Sequence, residues 1–193
     1  MAEIVLLRGE AIAARLDDLA RLRIAVFRDW PYLYDGDPAY ERDYLRHYAA
    51  PGALVVAAME GGRMVGAATA APLEDHAADF ADALSALGHP PDATYYLAES
   101  VLLPEARGQG IGHRFFDARE AEARALGRRF AAFCAVLRPD DHPARPAAPR
   151  THDTFWRGRG YRPVEGAVAT FRWRDVGEAE ETPKPLQFWG KPL

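Results

Sequence analysis

Residues 94–127, TYYLAESVLLPEARGQGIGHRFFDAREAEARALG, constrain the fold more than any other stretch of the chain. Thr94 to Leu103 is apolar and β-prone, broken only by Glu99 and Ser100, and Pro104 stops it. Apolar residues then fall at Ile111, Phe115, Ala118 and Ala125/Leu126, the spacing of a helix. Between strand and helix lies Arg107-Gly108-Gln109-Gly110-Ile111-Gly112. Alternate glycines at such a junction leave backbone N–H groups uncovered where the helix dipole is positive, which is a cradle for a phosphate. Arg107 adds a fixed positive charge. Neither G-x-G-x-x-G nor G-x-x-x-x-G-K-[ST] is present, so the turn is of neither common nucleotide-binding type.

The remaining chain frames this unit. Its 193 residues suffice for one domain with a full core. A formal net charge of −4 argues against a nucleic-acid surface, and no apolar run is long enough for a membrane span. The start lacks a basic region and a signal-type apolar run, and the single cysteine, Cys134, sits in an apolar run, so a cytoplasmic protein with one buried thiol is expected. A strand over 3–8 precedes a helix over 12–28, then an aromatic and acidic loop, Trp30 to Asp37. Asp37-Pro38 caps a second helix running to about Ala49. Strands over 53–60 and 63–71 flank a Gly61-Gly62 turn, and 74–87 reads as a third helix. After Gly127 come a strand over 129–137, a proline-rich loop over 139–150, a short helix over 151–159, and strands over 161–164 and 168–173. From Gly177 the chain is charged and rich in proline. Residues 1–176 therefore read as the domain and 177–193 as a tail, whose Phe188 and Trp189 would dock on the domain or on a second copy in a homodimer.

The R-G-Q-G-I-G turn after Leu102-Leu103-Pro104 resembles the acyl-CoA signature of the GNAT (Gcn5-related) N-acetyltransferases, Arg/Gln-x-x-Gly-x-Gly/Ala. Phe155-Trp156-Arg157-Gly158-Arg159-Gly160-Tyr161 looks like that superfamily's late Phe-Tyr-x-x-x-Gly-Phe signature. The resemblance covers about residues 3–175, with motif-level specificity in 98–113. It implies an α+β fold with a mixed central sheet of about seven strands and helices on both faces. It implies acetyl-CoA as cofactor, its pantetheine paired with the backbone of Ser100, Val101 and Leu102 in the gap between two splayed strands. Its pyrophosphate would lie on the amides of Gly108, Gln109, Gly110, Ile111, Gly112 and His113, beside Arg107. His113 could equally be a solvated surface histidine.

The implied reaction is acetyl transfer to a primary amine of a small molecule or peptide, which needs a base to deprotonate the ammonium. Glu99 is the candidate: a carboxylate in an apolar strand is costly to bury unpaired. The competing reading makes Glu99 a structural acid paired with an arginine or with backbone amides. Strand alternation places Glu99 with Tyr95, Leu97 and Val101, and Ser100 on the other face; a bulge would alter this and keeps Ser100 in reserve. Two residues depart from the family pattern. Trp156 stands where a tyrosine often acts as general acid, and the usual asparagine before that helix is replaced by the 139–150 insertion. In place of Trp156 either another group such as Tyr161 or a water serves as the acid, or the thiolate leaves unprotonated, with Tyr161 itself reading rather as a core or rim aromatic; Asp140-Asp141-His142 lacks a second cluster to complete a metal site. Tyr32, Tyr34 and Asp35 are the expected acceptor-side group, since aromatic faces and carboxylates suit a cationic amine. Trp156 also supports an alternative, a catalytically inactive module that binds acyl-CoA as a sensor or assembly partner.

Overall fold

The computed structural model describes residues 2–193. Strands β1 (Glu3–Leu7), β2 (Leu54–Glu60) and β3 (Arg63–Pro72) form an antiparallel meander, its second connection turning through Gly61 and Gly62 at φ +56° and +81°. Between β1 and β2 lie α1 (Glu10–Ala13), α2 (Leu16–Phe27) and α3 (Pro38–Leu45), the last continued by a 3₁₀ turn to Ala49. Asp37 caps α3 by accepting from the amides of Ala39 and Tyr40 at 3.0 and 2.8 Å. The expected third helix breaks into a 3₁₀ turn at Leu73–His76 and a short α4 (Ala81–Leu87), which ends on left-handed Gly88.

The strand expected over 94–103 divides into β4 (Thr94–Tyr96) and β5 (Ser100–Leu102). Helix α5 (Ile111–Ala125) then leads into β6 (Phe130–Val136), which runs parallel to β4. Short α6 (Asp153–Gly158) precedes β7 (Arg162–Arg174), and β8 (Glu181–Pro192) completes the sheet. The strand order is β1-β2-β3-β4-β6-β8-β7, with β5 paired to β3 alone. This is an α+β architecture with an eight-stranded mixed sheet. Thr69 turns toward α2, whereas Ala70 packs with Phe116 and Ala123 of α5, so the helices cover both faces.

Two expectations change here. The strands expected over 161–164 and 168–173 are one strand, β7, irregular between Pro163 and Val168. More consequentially, 177–193 is not a tail. Residues 181–192 are β8, lying between β6 and β7, with Phe188 0% and Trp189 4% exposed, so those aromatics are core and not a dimer contact. The prolines that disguised this strand are placed harmlessly. Pro185 turns its backbone away from β7 and accepts from the Leu137 amide at 2.8 Å, beyond the end of β6, where no ladder needs its missing N–H. Among the described residues, no helix is long and apolar enough to cross a membrane.

Candidate active site

The break between β4 and β5 creates the site. Thr69 of β3 faces two residues: its carbonyl accepts from Ala98 N–H and its amide donates to Glu99 O, both at 3.0 Å. This is a β-bulge, and it resets the alternation. Glu99 consequently shares a cleft with Tyr96 and Ala98, not the face of Tyr95 and Leu97 expected from regular alternation. Ser100 does not border the cleft; its hydroxyl accepts from Arg119 at 2.9 Å. The same bulge parts the strands. Leu97 N–H still bonds Ala132 of β6 at 2.8 Å, but β5 has no partner beyond β3, so one edge of β5 is open.

Antiparallel alternation decides which backbone groups reach that edge. Glu99 and Leu103 bond β3, so Val101 between them also turns its backbone to β3, opposite Ala67. Only Ser100 and Leu102 of the three expected residues face outward, and the Leu102 carbonyl accepts from Arg107 Nε at 3.1 Å. At the end of this edge the glycine turn is open. Gly108 and Gly110 lie at φ +77° and +74°, and a Cβ on either would meet no atom within 4 Å. The amides of residues 108–112 find no acceptor among the described residues, at the N-terminus of a fifteen-residue helix. This is a donor cradle of the kind a pyrophosphate fills. The His113 amide is not part of it: it bonds Gly110 O at 3.1 Å inside the first turn. Its ring lies 4.8 Å from Phe155, with its Nδ1 3.3 Å from an Arg159 nitrogen.

On the other side of the bulge is a cleft of about 450 Å³ that brings Tyr32, Tyr34 and Asp35 together with Glu99. Glu99 is held from three sides: Oε1 accepts from Arg23 and from Tyr44 OH (2.8 Å), and Oε2 accepts from Thr69 Oγ1. Glu41, 0% exposed, binds the same Arg23 guanidinium. Desolvation opposes the charge on Arg23, but Glu99, Tyr44 and Glu41 outweigh it and raise its pKa well above the ordinary value. The arginine pairing foreseen for a structural Glu99 is therefore present, and so is its exposure to the cleft. A carboxylate has about four acceptor sites, and these contacts use three.

The loop that carries Tyr32, Tyr34 and Asp35 is fixed from below. Arg138, just beyond β6, donates to the carbonyls of Pro31 (2.8 Å) and Tyr32 (2.5 Å) and grips Asp175 with two bonds of 2.6 and 2.9 Å. Trp173 Nε1 donates to the Tyr32 carbonyl at 3.0 Å. A second depression of about 580 Å³ lies behind this loop, bordered by Arg28, Leu33 and His142, and none of the expected site residues borders it. Sequence reasoning missed Arg23, Arg138 and Trp173. Arg23 left one trace: it stands on the apolar stripe of α2 with Leu19 and Phe27, where an arginine needs a buried partner.

Neither late aromatic reaches the cleft. Trp156 packs on Phe133 and Trp189 with ring centroids 5.0 and 5.1 Å away. Tyr161 is a core residue, as expected, and donates to Glu120 at 3.1 Å. Cys134 borders the cleft beside Tyr96 OH at 3.3 Å, and burial pushes its thiol up to about 12. Asp140 pairs with Arg145, and His142 Nδ1 accepts from Ala144 N–H at 3.1 Å. Among the described residues no three His, Cys, Asp or Glu are grouped to hold a metal ion.

Comparison with known proteins agrees with this geometry. No curated protein matches the chain in sequence. Solved structures match in fold along nearly the whole chain. An aminoglycoside 6'-N-acetyltransferase complexed with coenzyme A is 17% identical, with TM-score 0.64, covering 98% of this chain and 96% of that one. Ribosomal-protein-alanine N-acetyltransferase from Brucella melitensis is 16% identical, with TM-score 0.62, covering 98% and 99%. A phosphinothricin acetyltransferase from Sinorhizobium meliloti in complex with AcCoA is 17% identical, with TM-score 0.62, covering 100% and 88%. A family model described as the Acetyltransferase (GNAT) family matches residues 19–152, well over half the chain. With that match, and with the open strand edge and glycine cradle in place, the chain belongs to the GNAT acetyltransferase family.

Proposed function

We propose that this protein transfers an acetyl group from acetyl-CoA directly to a primary amine of a small molecule. The observation that carries this reading is the bulge. One distortion turns Glu99 into an aromatic cleft and frees the β5 edge that leads to the glycine cradle. The residues fit the cofactor: Ser100 and Leu102 would pair with its amide arm, and the amides of residues 108–112 with Arg107 would hold its pyrophosphate. Bound acetyl-CoA supplies a thioester carbonyl open to attack. Glu99 takes a proton from the substrate ammonium, directly or through a water at its remaining acceptor site. The freed amine would then form the N–C bond as the C–S bond breaks, the thiolate leaving with the electron pair and taking up the second proton that the new amide nitrogen sheds. Arg23, Tyr44 and Thr69 fix the carboxylate so that little reorganisation is needed. Cys134 takes no part as a nucleophile, because its thiol is held protonated.

The first test is thermal unfolding with acetyl-CoA, CoA, ATP and NAD, followed by thiol release with amines. Ligand at about 100 times its dissociation constant adds roughly 2.7 kcal/mol of stability. A shift with acetyl-CoA and CoA alone is expected; a shift only with ATP or NAD overturns the cradle assignment. Glu99→Gln should lower turnover by about 10²-fold or more, the scale of general-base catalysis, with CoA affinity unchanged. Unchanged turnover removes Glu99 as the base. The alternative, an acyl-CoA-binding module without catalysis, draws on the packed Trp156 and predicts CoA binding with no thiol release for any amine.

A further inference from the structure

Granting the transferase reading of this cleft, its charges and walls narrow the acceptor. We infer that the acceptor is a monoamine carried on a flat, apolar body, of the arylalkylamine type, and not a polycation.

The charge pattern sets the number of cations. At the cleft floor one guanidinium, Arg23, serves two carboxylates, Glu99 and the fully buried Glu41, which leaves one negative charge uncompensated. A second oxygen of Glu41 has no hydrogen-bond partner among the described residues, so Arg23 does not satisfy it fully. One ammonium answers that excess. Toward the mouth, Asp35 and Asp37 are already answered. Asp35 pairs with Arg174 at 2.8 Å and with Arg28 at 3.3 Å. Asp37 caps α3, facing that helix's positive end. Glu181, on the rim, receives Arg172 only on its backbone carbonyl, at 2.8 Å, and its carboxylate has no ion pair among the described residues. Arg172 and Arg174 also line the mouth, so a polyamine would bring its further cations beside fixed guanidinium groups.

The walls set the shape. Phe27, Tyr32 and Trp173 form a continuous row of rings, with centroids 4.4 and 6.0 Å apart, and Phe171 lies in the same wall. Trp173 has already donated its only side-chain N–H to the Tyr32 carbonyl. The row therefore offers ring faces and few donors. A planar hydrocarbon next to an ammonium meets each of these features, and aromatic faces also attract the cation.

The test uses the full chain with acetyl-CoA and measures kcat/KM for 2-phenylethylamine, an aminoglycoside, an alanine-initiated peptide and phosphinothricin. Calorimetric titration of 2-phenylethylamine into the CoA-loaded protein is run alongside. The expected result is at least tenfold preference for 2-phenylethylamine, reduced at least tenfold by Trp173→Ala and less by Trp173→Phe, which keeps a ring in the row. Preference for the aminoglycoside, the peptide or phosphinothricin overturns the inference while the transferase reading survives. Binding of 2-phenylethylamine without acetylation of any amine keeps the acceptor class and overturns the transferase reading. Absence of both binding and acetylation of 2-phenylethylamine overturns the inference.

Discussion

Replacing Arg138 with methionine tests whether the acceptor wall depends on one buried cation. Arg138 and Asp175 are 6% and 11% exposed at their side chains, so their pairing is largely shielded from water. Methionine retains much of the aliphatic volume and removes four hydrogen bonds: two to Asp175, one to the Pro31 carbonyl and one to the Tyr32 carbonyl. Tyr32 O keeps Trp173, and Asp175 keeps Lys184 at 3.5 Å, but Pro31 O loses the partner described for it. Removing one partner of a buried ion pair costs about 3–5 kcal/mol. For a chain of this size each kcal/mol lowers Tm by roughly 2–4 °C, so a fall of about 6–20 °C is expected. Acidity gives a signature. Burial alone would raise the Asp175 pKa, but the bond and charge of Arg138, with Lys184, outweigh it and hold the carboxyl below its ordinary value. A depressed carboxyl stabilises the fold above its unfolded pKa, near 4, and that contribution is lost as pH falls through the folded value. The variant has little of it to lose, so the stability gap to wild type should narrow on acidification. Urea titrations at pH 7 and at about pH 2.5, below the unfolded carboxyl pKa, measure the gap; amine-dependent kinetics should show a raised acceptor KM with acetyl-CoA affinity unchanged. A stability loss under about 1 kcal/mol at pH 7, or an unchanged acceptor KM, would refute the clamp.

Other perturbations separate the remaining parts. Gly110→Trp should abolish the acetyl-CoA thermal shift at a folding cost of about 1–3 kcal/mol, since its φ of +74° is strained for any side chain but the space is open; an intact shift contradicts the cradle. Cys134→Ala should leave turnover in place, and at pH 8 a thiol near 12 is ionised in only about 1 molecule in 10⁴, so thiol reagents should label the native chain far more slowly than the unfolded one. Because the unfolded thiol ionises first, wild-type stability should fall relative to Cys134→Ala above about pH 8.5; equal pH dependence sinks this assignment. Arg119, buried in α5, donates to the carbonyls of Phe115, Thr69 and Glu99 and to Ser100 Oγ, and desolvation lowers its pKa to about 10. Arg119→Lys cannot reach all four acceptors and should lower kcat more than it weakens acetyl-CoA binding; equal losses would make its role general packing.

The glycine turn was legible in the sequence because its requirement is local. Left-handed backbone, an uncovered helix end and a strand stop fall within a dozen residues, and the structure places them so. Glu99 was legible as a residue type, a carboxylate in an apolar strand, but its neighbours were not. Two residues facing one is a property of the pairing with Thr69, which lies thirty positions away. The cluster of Tyr32, Tyr34 and Asp35 that lines the cleft was readable from composition, whereas the opposite wall was hidden because Phe171 and Trp173 gain their place only when β8 enters the sheet. Three prolines and two lysines between 181 and 192 contradict strand propensity, and the surrounding ladders override them.

Helix α5 also acts as a ruler. Its N-terminus carries the cradle at Gly110, and Arg119, nine residues on, bonds the bulge that directs Glu99. A helix rises about 1.5 Å per residue, so these two fixtures stand some 13 Å apart along one stiff rod. An acyl donor bound as proposed is thus gauged by its length: an arm too short to span from the cradle to the bulge leaves its carbonyl away from the amine, however tightly its phosphates are held.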